Sequence, residues 1–155
     1  MVLPLVQLPD ERLHQSSALL NAASIPHADF AKMLTDMEET MYYAKGVGIA
    51  GVQVGYCHRV FLALRGKKVV PVVNPIITAH GDAMESMEEG CLSVPGLYHP
   101  VERWTSVRLQ GLNERGLPIE LKARGYFARV LQHETDHLNG ILFVDRFEQQ
   151  QQNKK

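Results

Sequence analysis

The clearest pattern in the chain is a three-and-four spacing of apolar residues over positions 28–45. This stretch follows Pro26 and is closed by Gly46. Residues three and four apart lie on one face of a helix, so the spacing predicts an amphipathic helix. Its apolar face carries Phe30, Met33, Leu34, Met37 and Met41. We expect this methionine-rich face to pack in the core.

Two pairs of short β-branched or alternating runs follow. Residues 59–64 and 69–73 flank the polar segment 65–68, which predicts a hairpin with an exposed turn. Asn74-Pro75 is expected to end its second strand. Residues 105–112 and 118–123 form a similar pair, and helical periodicity returns over 126–138. Strands segregated between helices indicate an α+β fold.

The length and composition indicate one globular domain, which we assign to residues 1–148. The tail, residues 149–155, is uniformly polar and is expected to be disordered.

Sixteen basic and 17 acidic residues give a net charge of −1 without a run of like charge, so no nucleic-acid partner is expected. No apolar stretch approaches the roughly eighteen residues of a spanning helix, and the first nine residues are too short for a secretory signal. We therefore expect a cytoplasmic protein with no membrane partner, and an organellar origin stays open.

The segment Gln132-His133-Glu134-Thr135-Asp136-His137 is the strongest chemical signal. On a helix, His133 and His137 share one face and can bind a single ion, with Glu134 beside it as an acid or base. Two histidines at this spacing can also be merely solvated. The glutamate directly after the first histidine, the apolar run before it and Gly140 after it favour a hydrolytic metal centre.

A catalytic centre of this type needs a third protein ligand. A metzincin protease would have histidine at the position of Phe143, and a thermolysin-like glutamate would have to be Glu148, beside the polar tail. An endopeptidase of the zincin type and a noncatalytic module with a structural metal are the two alternative functions. The upstream candidates for the third ligand are two cysteines and five histidines: Cys57, Cys91, His14, His27, His58, His80 and His99.

Local sequence favours Cys91 among these candidates without excluding the others. It lies in a segment flanked by glycine and proline, residues 88–96, which must turn sharply. Cys57 enters a strand and is expected to be a small buried residue. No feature indicates export, so both thiols are expected to be free.

Three stretches together resemble the signature motifs of the peptide deformylase family. They are GVGIAGVQVG at 46–55, EGCLSVPG at 89–96 and QHETDHLNG at 132–140, in this order. The resemblance implies an α+β fold with antiparallel sheets around the central motif-bearing helix. It also implies hydrolysis of the formyl group from the N-terminal formyl-methionine of newly made polypeptides. One divalent ion would be the cofactor, with Fe²⁺ commonest in the family and Zn²⁺, Ni²⁺ or Co²⁺ tolerated.

The resemblance also implies roles for individual residues. Cys91, His133 and His137 would bind the metal, Glu134 would move protons, and Gln53 with the Leu92 backbone N–H would receive the oxyanion. Val47, Gly48 and Gly90 would border the substrate. A pairing of Glu89 with Arg103 to hold the ligand loop is suggested by similar placement in the family, with two independent surface charges as the alternative.

The chain departs from many bacterial members at three places. Ile49 and Gly51 alter the first motif around an intact Gln53. The stretch before His133 resembles organellar-type members and contains Arg129, whose role the sequence does not explain. Many bacterial relatives contact the ribosome through a long C-terminal helix. The sequence ends soon after Phe147 without one, so transient contact with the ribosome is left open.

Overall fold

The computed structural model describes residues 1–25 and 27–155, and two antiparallel sheets form its framework. The larger sheet has five strands in the order β1-β2-β3-β6-β7, and the smaller sheet is the hairpin β4-β5. The strands are β1 (Gly48–Ala50), β2 (Val60–Arg65), β3 (Lys68–His80), β4 (Met84–Cys91), β5 (Val94–Trp104), β6 (Ser106–Leu112) and β7 (Pro118–Arg124). The predicted α+β class with antiparallel sheets is confirmed.

In the part of the chain that the structure describes, three α-helices accompany the sheets, and the first two were predicted from periodicity. They are α1 (Ala28–Tyr43), α2 (Gly125–Leu138) and α3 (Phe143–Gln152). In α1 the predicted apolar face is buried at Phe30, Met37 and Met41. Pro26, which the sequence placed before this helix, lies outside the described residues.

Helix α2 carries the two motif histidines and packs against strands of both sheets, including β2 and β5. Its inner face includes Ala128, Leu131 and Leu138, each fully buried. A rigid, buried helix is a precise support for catalytic side chains, because packing restricts their rotamers. Among the described residues, no helix is long and apolar enough to cross a membrane.

The strands differ from the sequence prediction in three places, one of which is the short strand β1, which was not predicted. Asn74-Pro75 does not end β3, because the strand continues to His80 across an irregularity between Val73 and Ile76, where Asn74 has a φ of 49°. Asn74 instead exchanges two hydrogen bonds with the backbone of Leu20. The β4-β5 hairpin was not predicted at all, because β4 is largely exposed and lacks an alternating apolar pattern.

The C-terminal segment also differs from the prediction. Residues 149–152, expected to be disordered, form the end of α3. The helix is held by stacking of Phe147 on His99, with ring centroids 4.1 Å apart, and by two hydrogen bonds between the Gln150 amide and the backbone of Glu102. A polar sequence can be ordered where neighbouring backbone groups satisfy its amides. The assignment of residues 1–148 to one domain stays a prediction.

Candidate metal centre

Helix α2 brings His133 and His137 together, because residues four apart lie one above the other on a helix. Their ring centroids are 4.9 Å apart and the rings meet edge to face. Cys91 approaches them from the end of β4, where the register shifts between Glu89 and Cys91. One donor atom from each of these three residues lies within 4.8 Å of the other two. The Cys91 Sγ is 3.3 Å from His137 Nε2.

The donor set fits a divalent transition metal. Sulfur and nitrogen ligands at about 2.3 and 2.05 Å from a tetrahedral ion lie about 3.6 Å from each other, close to the observed separation. One thiolate and two imidazoles suit Zn²⁺ or Fe²⁺, and three protein ligands leave a fourth position free for chemistry. Cys57 is exposed and lies apart from this group. The expectation that Cys57 is buried was therefore wrong.

The candidate metal-binding side chains shift one another's pKa values. Burial would raise the pKa of the Cys91 thiol, but the charges and hydrogen bonds of His137 and His133 outweigh it and lower that pKa well below 9.0. Burial would lower the pKa of His133, but its hydrogen bonds to Cys91 and Glu89 raise it to about 10. A ligating imidazole is neutral, so His133 would have to lose its second ring proton to bind a metal ion, and the lowered pKa of Cys91 favours the thiolate that a metal requires.

Glu89 organises the surroundings of His133. Its carboxylate accepts a hydrogen bond from His133 Nδ1 at 2.9 Å and two from Arg103, both at 2.9 Å. Arg103 also donates to Asp136 at 2.6 Å. Burial would raise the pKa of Glu89, but the hydrogen bonds from His133 and Arg103 hold it far below its usual range. The suggested pairing of Glu89 with Arg103 is present, and it orients His133 so that Nε2 is left for a metal.

Arg129, which the sequence left without an explanation, belongs to the same network. Its guanidinium donates to Glu89 at 2.6 Å and to the carbonyls of Val101 and Glu85 at 2.7 and 2.6 Å. It thereby ties α2 to both strands of the β4-β5 hairpin. Sequence reasoning also missed Asp136, which Arg103 and Arg146 pair with, because its partners lie far away in the chain. The only signal available in the sequence was that Asp136, a charged residue, lies in a helical segment expected to pack in the core.

Glu134 lies beside the metal ligands with an unsatisfied carboxylate. Its side chain is 4% exposed, and Oε2 has no hydrogen-bond partner among the described residues. Burial is the main cause that raises its pKa, against the lowering influence of His133 and His137. Gly48 packs against it so closely that a Cβ there would lie 2.5 Å from Glu134 Oε1. Glycine at position 48 therefore leaves the space that this carboxylate occupies.

Gln53 lies on the other side of Cys91, in a short 3-10 helix, Gly51–Val54. Its Oε1 accepts from the Ala50 N–H at 2.9 Å, which fixes the amide orientation. Its Nε2 then points to Cys91 Sγ at 3.4 Å and to Ser93 Oγ at 3.1 Å. The Gln53 amide nitrogen thus donates to one of the three candidate ligands, Cys91.

A cleft of about 630 Å³ opens in front of these residues. Its walls include the four sequence candidates Val47, Gly48, Gly90 and Leu92, together with Gln53, Cys91, His133 and Glu134. Gly90 packs on the ring of Tyr98, where a Cβ would lie 2.6 Å from Cε1. His137 does not line the cleft and approaches the donor group from behind it. The structure therefore brings all nine predicted site residues to one place.

Comparisons with known proteins agree with one another. The family model described as polypeptide deformylase matches residues 2–153. A peptide deformylase of Pelotomaculum thermopropionicum is 42% identical over 147 residues, covering 94% of this chain and 91% of the relative. Two crystal structures of a class I type b peptide deformylase from Acinetobacter baumannii superpose closely. The K1U-bound form has a TM-score of 0.92 at 37% identity, covering 94% of this chain and 99% of that one. The Met-Ala-Ser-bound form has a TM-score of 0.90 at 35% identity, covering 94% and 98%.

The matches extend over nearly the whole chain and include the elements that carry Cys91, His133 and His137. The family model, the curated relatives and the solved structures all point to the same group of metal-dependent hydrolases. The chain belongs to the peptide deformylase family.

Proposed function

We propose that this chain removes the N-formyl group from the N-terminal formyl-methionine of newly made polypeptides. Water adds to the formyl carbon, the C–N bond breaks, and formate and a free α-amine leave. Glu134 moves the protons, and Cys91, His133 and His137 hold the ion. The observation that carries the proposal is the convergence of these three ligands beside a buried, unpartnered carboxylate at the cleft.

The metal ligands supply geometry and charge. When bound, a divalent ion lowers the pKa of a water toward ~7 and polarises the formyl oxygen. We propose Fe²⁺ as the native ion, with Zn²⁺, Ni²⁺ or Co²⁺ able to occupy the same ligands. The Cys91 thiolate offsets part of the ion's charge, and Glu89 holds the ring of His133 in one orientation.

Glu134 is suited to take a proton from water and deliver it to the leaving amine. Its burial raises the pKa, which brings the carboxylate closer to the proton affinity that a general base needs near neutral pH. Its free Oε2 leaves one acceptor available for that water. In this proposal Gly48 preserves the position of the carboxylate, because any larger side chain would displace it.

Negative charge develops on the formyl oxygen during attack, and Gln53 with the Leu92 backbone N–H would stabilise it. Gln53 is 1% exposed and its amide orientation is fixed by Ala50, so little reorganisation is needed. Preorganised donors of this kind contribute about 3 kcal/mol to transition-state stabilisation. The Nε2 contact with Cys91 shows that the amide already lies beside the ligand set.

We assign the methionine side chain and the peptide to the cleft bordered by Val47, Gly48 and Gly90. Met-Ala-Ser, bound in the Acinetobacter baumannii relative, is the peptide that deformylation of formyl-Met-Ala-Ser would leave. We propose a cytoplasmic location for the reaction, where newly made polypeptides are present. A zincin-type endopeptidase is a weaker candidate, because Phe143 is buried in the core where the metzincin branch of that class has a third histidine.

The test compares formate release from formyl-Met-Ala-Ser with hydrolysis of acetyl-Met-Ala-Ser and of an internally cleavable peptide. We expect only the first to react. Glu134→Gln should retain metal and fold while losing about 10²- to 10⁴-fold in kcat. Glu114→Gln, in the exposed β6-β7 turn, is the matched control and should keep full activity. Full activity of Glu134→Gln, or hydrolysis of the internal bond at a similar rate, would refute the proposal.

A further inference from the structure

A second concave surface lies outside the cleft and has no role in the proposed hydrolysis. This cavity of about 610 Å³ lies where β6 and β7 meet the start of α2. Four cationic side chains line it, namely Arg65, Arg108, Lys122 and Arg124, and we call it the basic groove. Among residues 1–25 and 27–155, no aspartate or glutamate lines it.

Strand register concentrates these charges. Arg108 stands directly opposite Lys122, and Ser106 stands opposite Arg124, so the cations share one face of the β6-β7 ladder. Side chains at directly opposed positions have Cβ atoms only about 5 Å apart, and like charges there destabilise a sheet. Arg108 has one weak counterion, Glu120, at 3.9 Å, and Lys122 and Arg124 have none among the described residues. A phosphate at this face would relieve the repulsion.

The groove is also partly preorganised. The Arg65 guanidinium lies 4.9 Å from the centroid of the Phe127 ring and donates to the Lys122 carbonyl at 3.3 Å. Helix α2 begins at Gly125 without a side-chain cap, so the positive end of its dipole adjoins Arg124. None of the lining residues is a large exposed apolar side chain, which a peripheral membrane contact would require.

We infer that the basic groove binds the phosphate backbone of structured RNA. An RNA strand presents a regular row of phosphates, which matches cations arrayed along two paired strands. Tyr126 lines the catalytic cleft and its neighbour Phe127 lines the basic groove, so RNA held there lies within one turn of α2 from the cleft. This inference goes beyond the proposed hydrolysis and does not depend on it. It differs from the sequence-based expectation of no nucleic-acid partner, because the cations converge only in the fold.

The test is fluorescence anisotropy of a labelled mixed-sequence RNA hairpin with the full chain at several salt concentrations. We expect saturable binding with a slope of log K against log salt of about −3, as four phosphate contacts would give. Arg108→Glu should weaken binding on the order of tenfold and reduce the slope by about 1. It should leave formate release unchanged, because Arg108 lines the basic groove and not the catalytic cleft.

Arg115→Glu is the matched control, because it makes the same change in net charge at the opposite, exposed end of the β6-β7 hairpin. It should bind RNA like the unaltered chain. Equal weakening by both variants would show a net-charge effect only and overturn the inference. Absence of saturable binding, or equal affinity for polyglutamate or for vesicles of anionic phospholipid, would overturn it as well.

Discussion

His133 Nδ1 donates to Glu89 Oε1 across 2.9 Å, and this bond joins the helix that bears the motif to the hairpin that bears Cys91. The two segments are 44 residues apart in the chain. The bond orients one ligand, and Arg103 and Arg129 hold the carboxylate in turn. The position of Cys91 relative to the histidines therefore depends on a buried charge network.

The two cysteines provide a direct test of the metal site. Cys91→Ser should lose the bound divalent ion and nearly all activity, because a serine hydroxyl is a much poorer ligand for these metals than a thiolate. Cys57→Ser should keep both, since Cys57 is exposed and outside the donor group. Metal content by elemental analysis and the melting temperature with and without chelator are the measurements. Equal metal content in the two variants would contradict the assigned ligand set.

Gly48→Ala should lower kcat without loss of metal. The added methyl group would lie 2.5 Å from Glu134 Oε1 and push the carboxylate away from the ligand set. We expect a loss of about tenfold or more, because small displacements of a catalytic group are costly. Gly66→Ala is a control without a steric contact, since nothing lies within 4 Å of its Cβ, and it should keep kcat although its φ of 64° adds backbone strain that Gly48 lacks. Full activity of Gly48→Ala would contradict the claim that glycine at position 48 keeps the Glu134 carboxylate in place.

Arg129→Met should destabilise the fold by about 3 kcal/mol, the usual cost of removing one partner from a buried ion pair. The variant removes the hydrogen bonds that Arg129 donates to the Glu89 carboxylate and to the carbonyls of Val101 and Glu85. Urea denaturation at neutral pH measures the change. Arg115→Met, at an exposed turn, should be close to neutral. A change below about 0.5 kcal/mol in Arg129→Met would mean that the network contributes little to stability.

Asp36 predicts a pH dependence of stability away from the metal. The hydrogen bond from Lys32 at 2.6 Å is the main cause that lowers the pKa of Asp36 below 3.8. A carboxylate with a lowered pKa in the folded state stabilises the protein above its unfolded pKa, and the contribution is lost as pH falls. Asp36→Asn should therefore be less stable than the parent at neutral pH, with the difference shrinking below pH 3.8.

Urea denaturation of Asp36→Asn and of the parent, at neutral pH and below pH 3.8, tests this prediction. Asp82→Asn, in the exposed loop before β4, should show no such dependence. A stability difference that stays constant as the pH falls through 3.8 would argue against an ionised Asp36 as its source.

Much of the catalytic apparatus could be predicted from local sequence. The placement of His133, Glu134 and His137 on one helical turn follows from helix geometry alone. The apolar face of α1 follows from the same geometry. The β4-β5 hairpin, the extension of β3 past Asn74 and the helical end of α3 were not predicted. Each is stabilised by partners distant in the chain, which local periodicity does not report.

The sequence by itself determined helices α1 and α2, the chemistry of the donor side chains and the family, because these depend on residue types at short, fixed spacings. Only the tertiary structure decided how Glu89, Arg103, Arg129 and Asp136 pair, and that Arg108 and Lys122 face each other. The physical reason is that charges interact through space. Their partners are set by strand register and helix packing rather than by their order along the chain.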